Sequence, residues 1–472
     1  MQLRLLKDGL LRVSSPVASG LFVQGTRGYY NLRYLPRPYW ASTPWEAFVP
    51  SSRRSFREWV YQKQKDVEDL EVYQPGGYHP VHVGDSYSDG RYRILHKLGW
   101  GSYSTVWLAR DTQTCQYVAL KVLVANVSED SAESRVLRHS SRKDDATGFV
   151  ASLLDEFYID GPNGRHLCIA TKPTRCSLGE SKSNPPWMFP LQVSRAIAAQ
   201  VIMGLQEMHE RGVIHGELHP RNTLFTLPPI DSMSVEEIYQ KFDPPQETRI
   251  YRVDGAPLGP GAPSYSVVPV WLGTCCQDVS DPRICIADFG ESWLNTENLP
   301  REDLHTPVLY LPPETTFAKD SIGFPADVWT LACSIHEIMG ERSLFEGFFA
   351  DRDHFISEMI STLGPLPQDW WQMWEARGEF FSEDGSWRTV MKRCQTPSSM
   401  PLCERIQLMG RKSDPEFSAE EAESLERMLR AMFAYKPEKR ATAKDVANSD
   451  WMKRWGIPSL RTYNIRVPRE PS

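Results

Sequence analysis

The sequence predicts a two-lobed α+β protein with a β-rich small lobe and a mainly helical large lobe. From Tyr92 onward, apolar positions alternate around a Gly-rich turn in YRILHKLGWGSYSTVWLA, and a further strand pattern covers residues 117–124. Apolar residues then recur at helical spacing through residues 193–209, 326–339 and 419–433. A chain of 472 residues with 41% apolar content can bury a core large enough for both lobes.

Charge and composition exclude several classes of partner. The first 60 residues hold nine Lys/Arg against three Asp/Glu, a balance of +6. Because the net charge of the whole chain is −7, the remaining residues carry −13. An acidic body argues against direct nucleic-acid binding and is compatible with basic protein substrates. No apolar run approaches the roughly 20 residues that a membrane helix needs. Nine cysteines without a CxxC pair fit a reducing compartment, and the neighbours Cys275 and Cys276 are interpreted as structural.

The domain boundaries follow from changes in pattern along the chain. Residues 1–70 are interpreted as an irregular basic extension, residues 71–175 as the small lobe, 176–460 as the large lobe and 461–472 as a tail. The first 15 residues fit either a mitochondrial presequence or a solvated tail. Within the large lobe, residues 226–283 are interpreted as an insertion, because the connection is rich in Pro and Gly and long for a compact domain.

A nucleotide site is indicated by two motifs on neighbouring strands. Residues 99–104, GWGSYS, lie between strands, where glycines let backbone amides approach phosphate oxygens. Alone this pattern is more often a plain hairpin, but Lys121 in VALK follows on the next strand, where it can reach the α and β phosphates. Lys121 needs a carboxylate partner, and Glu133 on the next predicted helix is the first candidate, with Glu129 as its rival.

Phosphoryl transfer is indicated by two further motifs. The octet HGELHPRN, residues 215–222, places Glu217 where a carboxylate could deprotonate a hydroxyl and Asn222 where an amide could bind a metal ion. On its own the octet could equally be a turn after a helix. Asp288 in DFG follows an apolar strand, and its carboxylate can bind a Mg²⁺ ion that bridges phosphates. The order of the four motifs favours a catalytic loop.

From about Tyr92 to Trp455 the chain resembles the eukaryotic protein kinases, and it is most similar to the serine/arginine-rich splicing-factor kinases and their divergent fungal relatives. The resemblance rests on YQPGGYHPV at residues 73–81, LGWGSYSTVWLARD, YLPPE at 310–314, ADVW at 326–329, the position of the insertion, and LFEGFFADRDHFISEMISTLG at 344–364. It implies a serine/threonine protein kinase that uses ATP and Mg²⁺ and acts on protein substrates, with Arg/Ser-rich splicing factors as one class. It further implies a monomer in the cytoplasm, the nucleus or both, with no membrane or direct nucleic-acid partner.

The resemblance also implies roles for individual residues. Glu217, Lys121 and Glu133 would be catalytic, Asn222 and Asp288 would bind the metal, and Arg440 would be the buried partner of Glu314. The residues implied to contact the nucleotide are Leu98, Gly99, Gly101, Ser104, Val106, Ala119, Lys121 and Thr174.

Four positions depart from the family pattern. Glu217 replaces Asp, His219 replaces Lys, Arg221 replaces Glu, and Leu311 stands where Arg is usual. Small-molecule phosphotransferases of the aminoglycoside type use a similar HGDLHPxN loop, but they lack the Gly-rich loop and the closing Pro-Pro-Glu. Two hypotheses therefore stand: an active kinase slowed by Glu217, and an ATP-binding pseudokinase that serves as a scaffold.

The substrate-docking position and the activation segment are less complete. Asp353 matches an acidic position that docks arginine-rich substrates in the family, but Ile360 falls where a second acid is expected, and Glu358 could compensate from another face. Thr306 lies in the expected activation segment.

Overall fold

A computed structural model describes residues 59–140, 148–297, 304–346, 351–383, 385–388, 400–411 and 414–467, all within the unit Phe56–Ser472. Most of the basic extension, including the possible presequence, lies outside these residues. No helix in the described part of the chain is long and apolar enough to cross a membrane.

The small lobe is built on a six-stranded antiparallel sheet in the order β1-β2-β3-β4-β6-β5. Both faces of the central strands are buried, and on one of them Ile94, Trp107, Leu120 and Cys168 form the core of this lobe. Two helices follow β4 and cross to the cleft side. The elements are β1 Ser86–Tyr87, β2 Tyr92–Gly101, β3 Ser104–Asp111, β4 Gln116–Leu123, α1 Ala125–Ser128, α2 Ala132–Ser140, β5 Asp155–Gly161 and β6 Gly164–Thr171.

The connection from the small to the large lobe contains β7 (Thr174–Ser177), α3 (Leu178–Ser181), α4 (Leu191–Glu210), β8 (Val213–Ile214) and β9 (Thr223–Thr226). Most residues of helix α4 are buried, and the helix is accordingly apolar around most of its surface. It is the central packing element of the large lobe. The octet lies between β8 and β9, so its backbone is fixed at both ends by strand pairing.

The insertion is folded rather than a plain connection. It contains α5 (Val235–Phe242), which begins with a capping box, and the hairpin β10 (Gln246–Arg249) and β11 (Tyr265–Val268). The buried Ile230 and Ile238 pack against the small lobe. The insertion is therefore attached to the outer side of the small-lobe sheet.

The rest of the large lobe is helical around β12 (Ile284–Ile286) and β13 (Trp293–Leu294), which pair with β9 and β8. The expected buried pair is confirmed, because both side chains of Glu314 and Arg440 are fully buried and joined by two hydrogen bonds of 2.7 and 2.8 Å. The remaining helices are α6 Glu314–Phe317, α7 Phe324–Met339, α8 Arg352–Leu363, α9 Gln368–Met373, α10 Arg377–Phe380, α11 Leu402–Gln407, α12 Ala419–Met432, α13 Ala443–Ala447 and α14 Ile457–Thr462.

Candidate active site

A cleft of about 340 Å³ separates the sheet of the small lobe from the large lobe. It is lined on one side by the Gly-rich loop between β2 and β3 and on the other by Arg221 and Asn222 of the octet and by the DFG segment, whereas Glu217 is not among the lining residues. All eight residues implied to contact the nucleotide line this cleft: Leu98, Gly99, Gly101, Ser104, Val106, Ala119, Lys121 and Thr174.

Lys121 joins the two lobes inside the cleft. Its Nζ lies 2.7 Å from Oε2 of Glu133 on α2 and 3.1 Å from Oδ1 of Asp288. Burial disfavours the ammonium ion, but the carboxylates of Asp288 and Glu133 outweigh this cost and raise the pKa of Lys121. The pairing of Lys121 with Glu133, rather than with the exposed Glu129, is confirmed.

Asp288 has a backbone conformation that few residues other than glycine adopt. Its φ is +64°, in the left-handed region, where Asp is better tolerated than most side chains. The ammonium group of Lys121 lowers the pKa of Asp288, so this carboxyl stays ionised at neutral pH. The next residue, Phe289, is buried with its ring 5.5 Å from that of His215. This packing fixes the direction of the Asp288 carboxylate into the cleft.

Asp327, at the start of α7, forms hydrogen bonds with the backbone of the octet. Its carboxylate accepts hydrogen bonds from the backbone N–H of His215 at 2.7 Å and of Gly216 at 2.8 Å. Gly216 has φ +81°, and a Cβ there would lie 2.6 Å from the carbonyl oxygen of Glu291, so only glycine fits. Ser334 on α7 donates to the carbonyl of Leu218 at 2.9 Å. The loop is thus fixed to the most deeply buried helix segment of this lobe.

Glu217 lies half-buried between these supports. Burial, with the carboxylates of Glu291 and Asp288 nearby, raises the pKa of Glu217 to about 7. The side-chain N–H of Asn222 donates to the backbone carbonyl of Glu217 at 3.0 Å, which couples the two predicted site residues of the octet. A carboxylate with a pKa near neutrality is suited to accept a proton from a hydroxyl.

His219 cannot supply the charge of the lysine that it replaces. Burial lowers the pKa of His219 to about 3, so the imidazole is neutral at physiological pH. Its ring packs 5.5 Å from that of Tyr310. Thr306 is also buried, and its hydroxyl donates to the carbonyl of Gly216 at 2.5 Å. That hydroxyl supports the octet and is not accessible for phosphorylation in this conformation.

The insertion contributes a wall of the cleft that the motifs did not reveal. Val270, Trp271 and Leu272 line the cleft opposite the octet. The N–H of Val270 donates to the carbonyl of Lys97 at 2.8 Å, and Arg175 donates to the carbonyl of Leu272 at 3.2 Å. In the sequence, only the apolar character of these three residues could have indicated that they line the cleft, because no phosphate-binding or catalytic motif surrounds them.

The predicted docking acids on α8 already have partners within the protein. Asp353 accepts a hydrogen bond from Nε1 of Trp374 at 2.7 Å. Glu358 is paired with Arg405 at 3.2 Å and accepts from the backbone N–H of Glu346. A docked arginine would have to displace these contacts or share the carboxylates.

Comparison with known proteins finds the protein kinase domain family over residues 92–229 and 276–452. The unmatched residues between these ranges fall inside the insertion. The serine/threonine-protein kinase SRPK of Physarum polycephalum is 30% identical over 82% of this chain and 91% of its own length. A serine/threonine protein kinase of Aspergillus fumigatus is 26% identical over 82% of this chain and 90% of its own length. Human SRSF protein kinase 3 is 36% identical over 34% of this chain and 30% of its own length.

Proposed function

The chain belongs to the protein kinase family, among serine/threonine protein kinases of the SRPK type, and we propose that it transfers the γ-phosphate of ATP to serine or threonine of protein substrates through Glu217. The observation that carries this proposal is the pair of salt bridges made by Lys121, whose Nζ lies 2.7 Å from the carboxylate of Glu133 and 3.1 Å from that of Asp288. This arrangement supports the proposal because it holds the Lys121 ammonium group beside the carboxylate that would bind the metal.

The residues at the base of the cleft fit Mg²⁺. Asn222 and Asp288 would hold the ion, because amide and carboxylate oxygens are the hard ligands that Mg²⁺ prefers. The Asn222 amide nitrogen is engaged with the carbonyl of Glu217, so Oδ1 is the atom that would meet the metal. Bound Mg²⁺ would neutralise charge on the β- and γ-phosphates.

Glu217 would orient the substrate hydroxyl and take its proton. The extra methylene relative to Asp moves the carboxylate by roughly 1–1.5 Å. A misplacement of about 1 Å can cost on the order of a hundredfold in rate. Because His219 is neutral, it would not supply the positive charge that the lysine at this position would bring to the transition state. We therefore propose a working but slow enzyme.

Arg/Ser-rich proteins are the substrate class that we propose. The acidic balance of the chain outside its first 60 residues supports this class. It is also supported by the printed name of the human relative, which is an SRSF protein kinase. The internal partners of Asp353 and Glu358 indicate that docking through α8 is weaker than an open acidic groove would give.

The substrate proposal is tested with radiolabelled ATP and two peptides, one with Arg/Ser repeats and one of equal length in which Gln replaces each Arg. We expect preferential labelling of the first peptide by the full chain and loss of labelling in Lys121→Met. Equal labelling of both peptides would contradict the substrate class but not the kinase activity. For location, we propose the cytoplasm and the nucleus, which imaging of the tagged full chain would test.

A pseudokinase scaffold is the second candidate function. It is favoured by the neutral, buried state of His219 and by the lengthened carboxylate at position 217. Nucleotide binding would stabilise the chain by mass action under either proposal, so thermal shift alone does not separate them. Phosphate transfer that disappears in Asp288→Ala would rule out a function limited to scaffolding.

A further inference from the structure

We propose that Tyr78 is a positioning residue that orients the Gly-rich loop for the phosphates of ATP. It lies in residues 68–81, a segment ahead of the small-lobe sheet that we call the N-terminal strap. The inference rests on the proposed function, since it assumes that this loop binds nucleotide phosphates.

The central contact is a hydrogen bond between a side chain of the strap and the turn of the loop. The hydroxyl of Tyr78 donates to the carbonyl oxygen of Gly101 at 2.7 Å, and the carbonyl oxygen of Ser102 lies 3.5 Å away. Tyr78 is only 3% exposed. Its burial raises the pKa of the phenol, which therefore keeps its proton and remains a donor.

This contact sets the direction of a backbone amide. A trans peptide is planar, so its C=O and the following N–H point in opposite directions. Holding the Gly101 carbonyl toward Tyr78 therefore turns the N–H of Ser102 away from the strap. On the other side of the turn, the N–H of Val124 donates to the carbonyl of Tyr103 at 2.9 Å, so the N–H of Ser104 points toward β2, where Gly101 is its paired residue. Gly101 and Ser104 both line the cleft.

The β2–β3 ladder holds the turn as far as the pair of Gly101 and Ser104, so Ser102 and Tyr103 are its two loop residues. Trp100 and Tyr103 are 41% and 61% exposed, so packing of their side chains does not fix the backbone. Glycines at positions 99 and 101 add conformational freedom. The hydrogen bond from Tyr78 adds to this strand pairing a contact at the residue where the ladder ends, and so limits which loop conformations are populated.

Tyr78 is rigid because the strap is anchored on both sides of it. The carbonyls of Gly76 and Gly77 accept hydrogen bonds at 2.9 and 3.1 Å from the first two residues of α1. A Cβ at Gly77 would lie 1.8 Å from the carbonyl oxygen of Val72, which explains the glycine there. Asn163, in the turn between β5 and β6, donates to the carbonyl of Tyr78 at 2.7 Å.

A second anchor holds the strand that leads into the loop. Lys97 of β2 forms a fully buried ion pair with Glu68 of the strap, and the hydroxyl of Tyr73 donates to the same carboxylate at 2.5 Å. The strap thus contacts β2, the turn of the loop and the start of α1, which precedes the helix carrying Glu133. It links the elements that would hold the phosphates.

The test compares two ligands in wild type and Tyr78→Phe, which removes one oxygen and keeps the ring. Dissociation constants for ATP with Mg²⁺ and for adenosine are measured by calorimetry on the full chain, together with KM for ATP and kcat. We expect ATP binding to weaken about threefold to tenfold, the range for one lost hydrogen bond, and KM to rise in proportion. Adenosine binding should not change, because adenosine has no phosphates.

Tyr87→Phe is the matched control. Its hydroxyl donates to the carboxylate of Asp85 within the small lobe at 3.1 Å and is not hydrogen-bonded to the loop. This variant should bind both ligands like wild type. Unchanged ATP binding in Tyr78→Phe, or equal weakening of ATP and adenosine, would overturn the inference. If wild type itself binds no ATP, the proposed function fails instead, so the two failures are distinct.

Discussion

Glu217 is the residue on which the chemistry of this site depends. It occupies the position of the family's aspartate, with its carboxylate among Glu291 and Asp288 and its backbone held by Asn222. Its pKa of about 7 means that a large part of the population is protonated at neutral pH. Under the proposed function, the length of the side chain and its ionisation would both act on the same step, the removal of a proton from the substrate hydroxyl.

The pH dependence of the rate follows from this pKa. Only ionised Glu217 can accept a proton, so kcat/KM should rise about tenfold per pH unit below pH 7 and level off above it. The measurement is a pH profile of kcat/KM from pH 5.5 to 8.5 with saturating Mg²⁺. A profile already flat at pH 6 would contradict the role of Glu217 as the base.

Glu133 forms a salt bridge with Lys121, so replacing Glu133 should lower the rate of phosphate transfer. Glu133→Gln leaves the buried ammonium ion of Lys121 with one carboxylate instead of two. We expect kcat/KM for ATP to fall about tenfold or more, since hydrogen bonds to charged groups contribute roughly 1.5–3 kcal/mol. Glu129→Gln, on the exposed rival acid four residues earlier, is the control and should match wild type. Similar losses in both variants would contradict this assignment.

The proximity of the candidate nucleotide and metal residues could be predicted from the sequence because each belongs to a short motif. The Gly-rich loop, Lys121 and Asp288 each have a local pattern, and the structure places them around one cleft. The charge state of His219 could not be predicted from sequence, because it depends on burial under Tyr310. The contact of Tyr78 with Gly101 depends likewise on the folded path of the strap.

At the scale of elements, the insertion acts as part of the small lobe. Helix α5 packs on β2 and β3, and the segment after β11 runs along the cleft to the hinge. Its attachment restricts the motion of β2, the strand that carries the Gly-rich loop. We infer that the insertion stabilises the lobe that would bind ATP.

Ile238→Ala should therefore destabilise the protein. Ile238 is 1% exposed and packs with Leu95, Leu108 and Tyr117, so its truncation leaves a cavity. The expected cost is about 2–5 kcal/mol of unfolding free energy, measured by the shift of the urea midpoint. Val253→Ala, at a 60% exposed position of the same insertion, should change stability by no more than about 0.5 kcal/mol. Equal effects would show that the helix does not pack as described.

The long elements were predictable because their apolar periodicity is strong. The helix expected over residues 193–209 is observed as Leu191–Glu210, and that over 419–433 as Ala419–Met432. The fold of the insertion was not predicted. The capping box of Ser234 and Glu237 was a local signal for α5, whereas all four residues of β10 are exposed and show no alternation that would mark a strand.

For the molecule as a whole, the two lobes are joined across the cleft and each is supported at defined points. The ion pair of Lys121 with Asp288 crosses the cleft, Asp327 fixes the octet, and the strap and insertion contact the small lobe from outside. The structure thus brings the Gly-rich loop, part of the octet and the DFG segment together around one cleft.

Phosphate transfer from radiolabelled Mg-ATP to an Arg/Ser-repeat peptide, measured side by side for wild type, Glu217→Asp and Asp288→Ala, tests the central claim most directly. The account predicts slow labelling by wild type, labelling faster by up to about a hundredfold in Glu217→Asp, and none in Asp288→Ala. Absence of labelling by wild type together with labelling by Glu217→Asp would contradict the claim that Glu217 supports catalysis.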